Sequence, residues 1–515
     1  MQNVFDLPLT EAMQEVCSRF PDRVAALTCS SPTHPRVRLT YRELDESAAR
    51  LATELGASSV ATNEPIIVFV SNAPEDLVLL FGIWRSGAVA VPLYVDIGPE
   101  TVRTVLQFTK ARFLLLKEGV VEHALPQGHE RQLAHARLRV LDQPPPEHGQ
   151  ILNDAALIMF TSGSTGTSKG VVLSRKSLMD KLKANNSVLH FPEGVRSFLV
   201  LKLSFAFGLW VSILTLLSAG TLLMARRFEV SDFVHILLEE QIDQVAVVPT
   251  MLRAVLNELR MGDSNDLIST LADSGRPWLI CTGGEPIAPA VASYLRRLLP
   301  RSGIADVFGL TETCTSDFIL APDKFDQYLG SVGFPGPGIS FRVAERETGN
   351  VVPIGEVGEL EINSPYMMNG YLGEPELTHG AFRDEYFRTG DLARQGVDGE
   401  LYLAGRCKDL ILRGGNKVSP VEIDAIMMQH PQIAASLTTG VNDSLMGERI
   451  HTLVVIRGER RVEPEVLRSW AKTRLDKFKV PDRIHIGKEI PQGVTGKDDR
   501  RALHSWLSSA GLLDE

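Results

Sequence analysis

Apolar residues along this chain alternate between two spacings. Short continuous runs, Ile66 to Val70, Ala88 to Leu93 and Phe113 to Leu116, read as buried strands. Between them the apolar positions fall at helical spacing. Thr40 to Gly56 puts Leu44, Ala48, Leu51, Ala52 and Leu55 on one face, and Thr40 with Glu43 makes a capping box at its start. Asn72 to Trp84 and Glu100 to Ala111 read as further helices. Strands alternating with helices predict right-handed βαβ units and a mostly parallel sheet.

The middle of the chain repeats this logic. Strands are expected at Phe198 to Leu203, Thr221 to Ala225, Gln244 to Val248, Trp278 to Thr282 and Ala305 to Phe308. Helices are expected near Val230 to Gln241, Thr250 to Arg260 and Pro289 to Leu299. Ser204 to Ala225 carries no charge and is long enough to span a bilayer. It is a single run, broken by Gly208, Ser212, Thr215, Ser218, Gly220 and Thr221. A buried helix, a turn at Ala219-Gly220 and a strand account for it, so no membrane insertion is expected. From about Gly330, strands at Ile339 to Ala344, Gly358 to Ile362 and Gly399 to Leu403 are separated by Gly, Pro and Asp, the mark of an antiparallel unit. After Arg406 the order becomes β, α, β, β with two later helices. The prediction is an α/β protein: residues 1–405 as a large domain of mostly parallel βαβ sheets with a β-rich subdomain at about 330–405, then a small α+β domain over 406–515.

One stretch stands out against this pattern. Thr161 to Gly170 reads Thr-Ser-Gly-Ser-Thr-Gly-Thr-Ser-Lys-Gly, between the strand-like Ala155 to Phe160 and Val171 to Leu173. A loop of glycines and hydroxyls can aim backbone N–H groups at an anion, and Lys169 adds a point charge suited to phosphate. It is not the P-loop of NTPases: counting from Gly163, Ser168 holds the second glycine position, Gly170 follows Lys169, and no helix opens there. Two other strands end in Gly283-Gly284-Glu285-Pro286 and Gly309-Leu310-Thr311-Glu312. Ligands in such sheets bind beyond the strand ends, so the three motifs are candidates for one cleft.

Composition narrows the classes. The chain has 515 residues, 44% hydrophobic and 23% charged, with net charge −10. That size predicts more than one domain, and the acidic balance disfavours nucleic acid as a partner. Five scattered cysteines, Cys17, Cys29, Cys281, Cys314 and Cys407, have no metal-ligand spacing, and the twelve histidines form no His-Glu-x-x-His pattern. Met1 to Thr10 lacks the charge pattern of a secretory signal, and the expected compartment is the cytoplasm.

Five segments in order resemble the signature set of the adenylate-forming (AMP-binding) superfamily, which includes acyl- and aryl-CoA synthetases, peptide-synthetase adenylation domains and firefly luciferase. They are Thr161 to Gly170, Phe-Gly-Leu-Thr-Glu-Thr at 308–313, Arg-Thr-Gly-Asp at 388–391, Gly-Arg-Cys-Lys-Asp at 405–409 and Pro-Gln-Gly-Val-Thr-Gly-Lys at 491–497. The resemblance implies an enzyme using ATP and Mg²⁺ to activate a carboxylic acid. By it, Thr161, Ser162, Gly163, Thr165, Gly166 and Lys169 would hold the β- and γ-phosphates. Gly284 and Glu285 would also bind ATP, Asp306 would lie near the adenine amino group, and Phe308 would stack on the adenine where the family usually has tyrosine. Thr311 would contact the α-phosphate, Glu312 would bind Mg²⁺, and Asp391 with Arg406 would hold the ribose. Lys497 would reach from the small domain to the carboxylate and α-phosphate. Lys408 would be the hinge about which that mobile domain rotates. After rotation, Arg413 to Lys417 would face the site, with Gly414 and Gly415 leaving room for a pantetheine arm.

The acid pocket is expected among Phe205, Ala206, Trp210, Gly283, Leu310 and Cys314. In amino-acid-activating relatives an aspartate grips the α-amino group; Ala206 stands there, and residues 181–231 contain no aspartate. Phe205, Phe207, Leu209 and Trp210 point instead to an aryl, alicyclic or acyl substrate. The stretch Gly405 to Asp424 is more similar to acyl-CoA ligases, which makes CoA the first acceptor. A separate carrier protein and a free amine remain alternatives, as does a nucleotide sensor with a dead site, which intact Glu312, Asp391 and Lys497 disfavour.

Overall fold

A computed structural model of the protein describes residues 3–29, 36–117, 120, 125–146, 148–162, 168–261, 270–271, 274–285, 287, 289–443, 445–458, 462–492 and 498–512. Their strands form four sheets. At the centre of the nine-stranded sheet, Gly303–Phe308, Leu279–Gly283, Gln244–Val247, Arg196–Leu199, Thr221–Met224 and Val24–Thr28 lie side by side and parallel. The eight-stranded sheet has a parallel centre of Ala155–Ser162, Val89–Tyr94, Pro65–Val70 and Phe113–Leu116. Both sheets carry antiparallel strands at their edges.

Helices fill the space between the two large sheets. Pro74–Arg85 is buried on nearly every side, as its lack of a polar stripe requires. Tyr41–Ala57 begins at the Thr40–Glu43 capping box read from sequence. The uncharged run resolves into the helix Ala206–Leu217, a turn with Ala219 at φ 51°, and the strand Thr221–Met224. Its helix packs in the core shared by both sheets. Among the described residues no helix is long and apolar enough to cross a membrane.

The third sheet is antiparallel and holds two strands beyond expectation, Phe382–Arg383 and Tyr386–Gln395. Its central strand, Tyr386–Gln395, contacts Gly358–Asn363, Phe382–Arg383 and Leu401–Arg406. Charges disguise it in the sequence. Glu359 and Glu361 are buried on the neighbouring strand, where Arg388 meets Glu359 at 2.8 Å and Arg342 and Arg383 meet Glu361 at 2.7 and 2.8 Å. Paired arginine and glutamate thus occupy positions where alternation would call for apolar side chains. The helix Arg175–Leu189 also goes beyond the sequence pattern. Between Arg406 and Ile411 the chain leaves this sheet and enters the fourth, built on the long hairpin Ile433–Asp443 and Gly447–Ile456. The smaller C-terminal domain packs around that hairpin.

Candidate active site

The Lys169 stretch lies on a hairpin of the eight-stranded sheet, with Phe160 opposite Gly170, Thr161 opposite Lys169 and Ser162 opposite Ser168. Gly163, Thr165 and Gly166 lie outside the described residues. The other two strand-end motifs belong to the nine-stranded sheet, where Gly283 is opposite Val307. The three motifs therefore come from two sheets, and the site is a seam between them.

Thr311–Thr313 forms a single 3-10 turn beyond the strand Gly303–Phe308. The turn is held by backbone that few sequences adopt. Cys314, Thr315 and Ser316 follow at φ 56°, 64° and 53°, a left-handed conformation that costs each L-residue roughly 1–2 kcal/mol. Gly309 is required beneath them, because a Cβ there would stand 2.1 Å from the Ser316 amide nitrogen. A buried brace secures the far side: Lys181 pairs with Asp317 at 2.9 Å, and Thr313 hydrogen-bonds the same carboxylate.

Glu312 meets the other sheet directly. Tyr371 Oη donates to Glu312 Oε1 at 2.9 Å, and Lys169 Nζ sits 4.8 Å from the centre of the Tyr371 ring. The Met368 amide donates to the Glu312 carbonyl at 2.8 Å. No described protein group donates to Glu312 Oε2. Among the described residues no group of three or more His, Cys, Asp or Glu could cage a metal. One carboxylate completed by phosphate oxygens and water is the ordinary setting for Mg²⁺, so the donor set fits that ion.

Asp391 and Arg406 face each other across Tyr386–Gln395 and Leu401–Arg406. The guanidinium is bidentate, Nε to Oδ1 at 2.6 Å and Nη2 to Oδ2 at 3.2 Å. Burial works against the Arg406 charge, but Asp391, with smaller help from Asp409 and Glu312, raises its pKa overall. Burial lowers the pKa of Lys408 nearby, with Arg406 and Arg501 adding to the fall and Asp409 and Asp391 opposing it. Lys169, Tyr371 and Glu312 thus form one connected line of cation, ring and hydrogen bond, and the Arg406–Asp391 pair lies within electrostatic reach of Glu312.

On the opposite flank, Asp306 is fully enclosed. Burial pushes its carboxyl up to about 8, against the backbone N–H groups of Ile287 and Val307, which favour the anion. Phe308 is half-buried, with its ring centre 6.2 Å from that of Phe318. Glu285 Oε1 accepts from the Thr250 amide at 2.8 Å, and Gly284 is exposed at φ 88°.

Phe205 is the N-cap and Ala206 the first residue of Ala206–Leu217. Phe207 approaches Gly283, where a Cβ would come 3.3 Å from its ring and 2.5 Å from the Val307 carbonyl. Trp210 lies behind, stacked on Phe207 at 5.6 Å and buried beside Phe191. Leu310 is half-buried. Cys314 is buried, and desolvation pushes its thiol up to about 12.

Lys497 lies outside the described residues. Its neighbour Asp498 meets Arg253 of the large domain at 2.8 Å, and Arg253 also approaches Glu285 at 3.5 Å. Gly414 and Gly415 form a two-residue hairpin turn, both at positive φ, 55° and 80°. Arg413 at its base is occupied by the Phe478 carbonyl at 2.7 Å and by Asp482, while Lys417 reaches Glu347 at 3.4 Å. Tyr371, the Lys181–Asp317 brace and Arg253 were not singled out from sequence. Each depends on a partner distant in the chain, and local pattern gives no sign of such a pairing.

Known proteins share this architecture. Residues 13–372 match the family model "AMP-binding enzyme", and residues 422–497 match "AMP-binding enzyme C-terminal domain". A feruloyl-CoA synthase of Amycolatopsis sp. is 31% identical over 470 residues, which cover 90% of this chain and 93% of that protein. The fatty acid–[acyl-carrier-protein] ligase ScoC of Streptomyces coeruleorubidus is 28% identical over 93% of this chain and 95% of its own. In fold, the chain is similar to the o-succinylbenzoate coenzyme A synthetase of Bacillus subtilis in complex with ATP and magnesium ion, with TM-score 0.77 and 23% identity, covering 96% of this chain and 99% of that one. With the model spanning most of the chain and a relative above 30% identity along nearly its whole length, this protein belongs to the AMP-binding enzyme family of adenylate-forming enzymes.

Proposed function

We propose that this enzyme activates an apolar aryl, alicyclic or acyl carboxylic acid with ATP and transfers the acyl group to the thiol of CoA. The observation that carries this reading is the line Lys169–Tyr371–Glu312 with the Arg406–Asp391 pair in electrostatic reach of Glu312, which would put phosphate-, metal- and ribose-binding chemistry in one cleft. The similar enzyme crystallised with ATP and magnesium, and the CoA-ligase relative, support the same reading.

In the first half-reaction a carboxylate oxygen attacks the α-phosphorus. The bond to the bridging oxygen of the β-phosphate breaks, and pyrophosphate leaves. Lys169 would hold the departing phosphates, Thr311 the α-phosphate, and the Asp391–Arg406 pair the ribose. Lys497 would bring positive charge to the oxygens that gain negative charge in the transition state. Mg²⁺, held by Glu312 when bound, supplies charge neutralisation between the phosphates. In the second half-reaction the thiol sulfur attacks the acyl carbonyl, loses its proton and expels AMP. The Phe207 face and the absence of aspartate over 181–231 support an acid without an α-amino group. The carrier-protein ligase relative favours a second reading, in which the thiol belongs to a separate acyl carrier protein.

ATP–pyrophosphate exchange across a panel of aryl, alicyclic and acyl acids tests the reading. Exchange with at least one apolar acid is expected; folded protein that exchanges with none in Mg²⁺ would sink it. Lys497→Ala is expected to abolish exchange while sparing transfer from a supplied acyl-adenylate. Product mass with CoA, a carrier protein or a free amine identifies the acceptor.

A further inference from the structure

We propose that Tyr371 is a positioning residue that sets Glu312 and Lys169 in one fixed geometry, so that a divalent cation and the phosphates of ATP are received together. The proposal rests on the carboxylate-activating reading above.

Tyr371 stands where the two large sheets meet. Its two-residue strand, Gly370–Tyr371, pairs antiparallel with Ser168–Ser174, placing Tyr371 opposite Val171. On that strand Lys169 and Val171 point to the same side, because side chains alternate with a period of two. This register brings the Lys169 ammonium over the ring. The segment is tied at three points: the Met368 amide to the Glu312 carbonyl at 2.8 Å, the Leu372 amide to the Gly170 carbonyl at 2.8 Å, and the Tyr371 amide to Thr378 Oγ1 at 2.9 Å. Tyr371 itself is buried.

The side chain does two things at once. Its hydroxyl occupies Glu312 Oε1 and leaves Oε2 with no described protein donor. Its ring face offers Lys169 a cation–π contact at 4.8 Å, within the range where that attraction is significant. The two contacts reinforce each other, since donation toward an anion leaves the ring more electron-rich for the cation. A tyrosine serving only as core would lose little on replacement by phenylalanine. Here the lost group is the one that aims the carboxylate.

The test is calorimetric titration of MgATP and of AMP into the parent enzyme, Tyr371→Phe and Tyr371→Leu, with the Mg²⁺ dependence of exchange measured alongside. Tyr371→Phe keeps the ring and is expected to weaken MgATP about tenfold, the scale of one hydrogen bond to a charged group, while AMP stays within about twofold. Its half-maximal Mg²⁺ concentration should rise by a similar factor. Tyr371→Leu should in addition weaken pyrophosphate binding, because Lys169 loses the ring. Unchanged MgATP affinity in Tyr371→Phe overturns the proposal, and so does a parallel fall in AMP affinity, which would mark a general packing role. If Tyr371→Leu does not fold, Tyr371→Phe alone decides. A parent enzyme that binds no MgATP overturns the carboxylate-activating reading itself.

Discussion

Asp306 is a carboxyl group that the fold holds mainly in its neutral form. Its folded pKa of about 8 lies above the unfolded value of about 4, so the folded state binds the proton more tightly. Its stabilising contribution is present below about pH 4 and is lost as pH rises toward about 8. Asp306→Asn lacks this slope. Thermal melting from pH 4 to 9 should show the variant gaining on the parent up to pH 8 and then running level with it. A constant gap would refute the argument. Glu312 carries the complementary prediction: Glu312→Gln preserves shape but not charge and should cost about 100-fold or more in ATP–pyrophosphate exchange, read at saturating Mg²⁺. Lys169, Glu312 and Asp391 are proposed from sequence because each sits in a distinctive local string. Tyr371 is not, because its meaning lies in a carboxylate 59 positions away.

Elements differ in how openly the sequence announces them. Pro65–Val70 and Phe113–Leu116 are continuous apolar runs because both faces of a parallel strand are covered. Tyr386–Gln395, which carries Asp391, was hidden because arginine–glutamate pairs replace apolar contacts along it. The uncharged Ser204–Ala225 run was legible as helix, turn and strand because its glycines and hydroxyls interrupt it. Backbone demands at the element scale are testable at Gly309. The nearest atoms to an added Cβ are Ser316 N at 2.1 Å and the Thr315 carbonyl carbon at 2.5 Å, both backbone. Gly309→Ala must therefore displace the Thr311–Glu312 turn, and exchange activity should fall far more than the melting temperature does. Gly415→Ala is milder: open space around an added Cβ and φ 80° make it a conformational cost of about 1 kcal/mol, seen as reduced stability of the C-terminal domain.

The whole molecule is a large two-sheet body and a smaller domain, and the ion pair Arg253–Asp498 joins them next to Lys497 in sequence. Burial raises the Asp498 pKa, with Arg253 and Arg500 opposing the rise. Asp498→Ala should slow adenylate formation about tenfold, the worth of a partly buried charge-assisted hydrogen bond. Transfer from a supplied acyl-adenylate should continue at the parent rate, and Asp498→Glu should recover much of the loss. That split is expected if the pair favours the domain arrangement used for adenylate formation; equal damage to both half-reactions would refute it. Domain order and sheet type were legible because alternation of strand and helix gives way to glycine-spaced short strands near residue 330. The interdomain contact was not, since a single arginine on a helix reads as solvated charge.

The seam between the two large sheets would also make a nucleotide bound as proposed a structural component. Lys169 is carried by one sheet and Glu312 by the other. A ligand gripping both would act as a staple across the joint, and its binding energy would be added to the cohesion of the body. At a concentration one hundred times its dissociation constant, MgATP should contribute about 2.7 kcal/mol to the stability of the large domain. A nucleotide lacking the β- and γ-phosphates would miss the Lys169 side and staple nothing. The enzyme's resistance to heat and to proteolysis at the seam would then track how much of its ATP is intact.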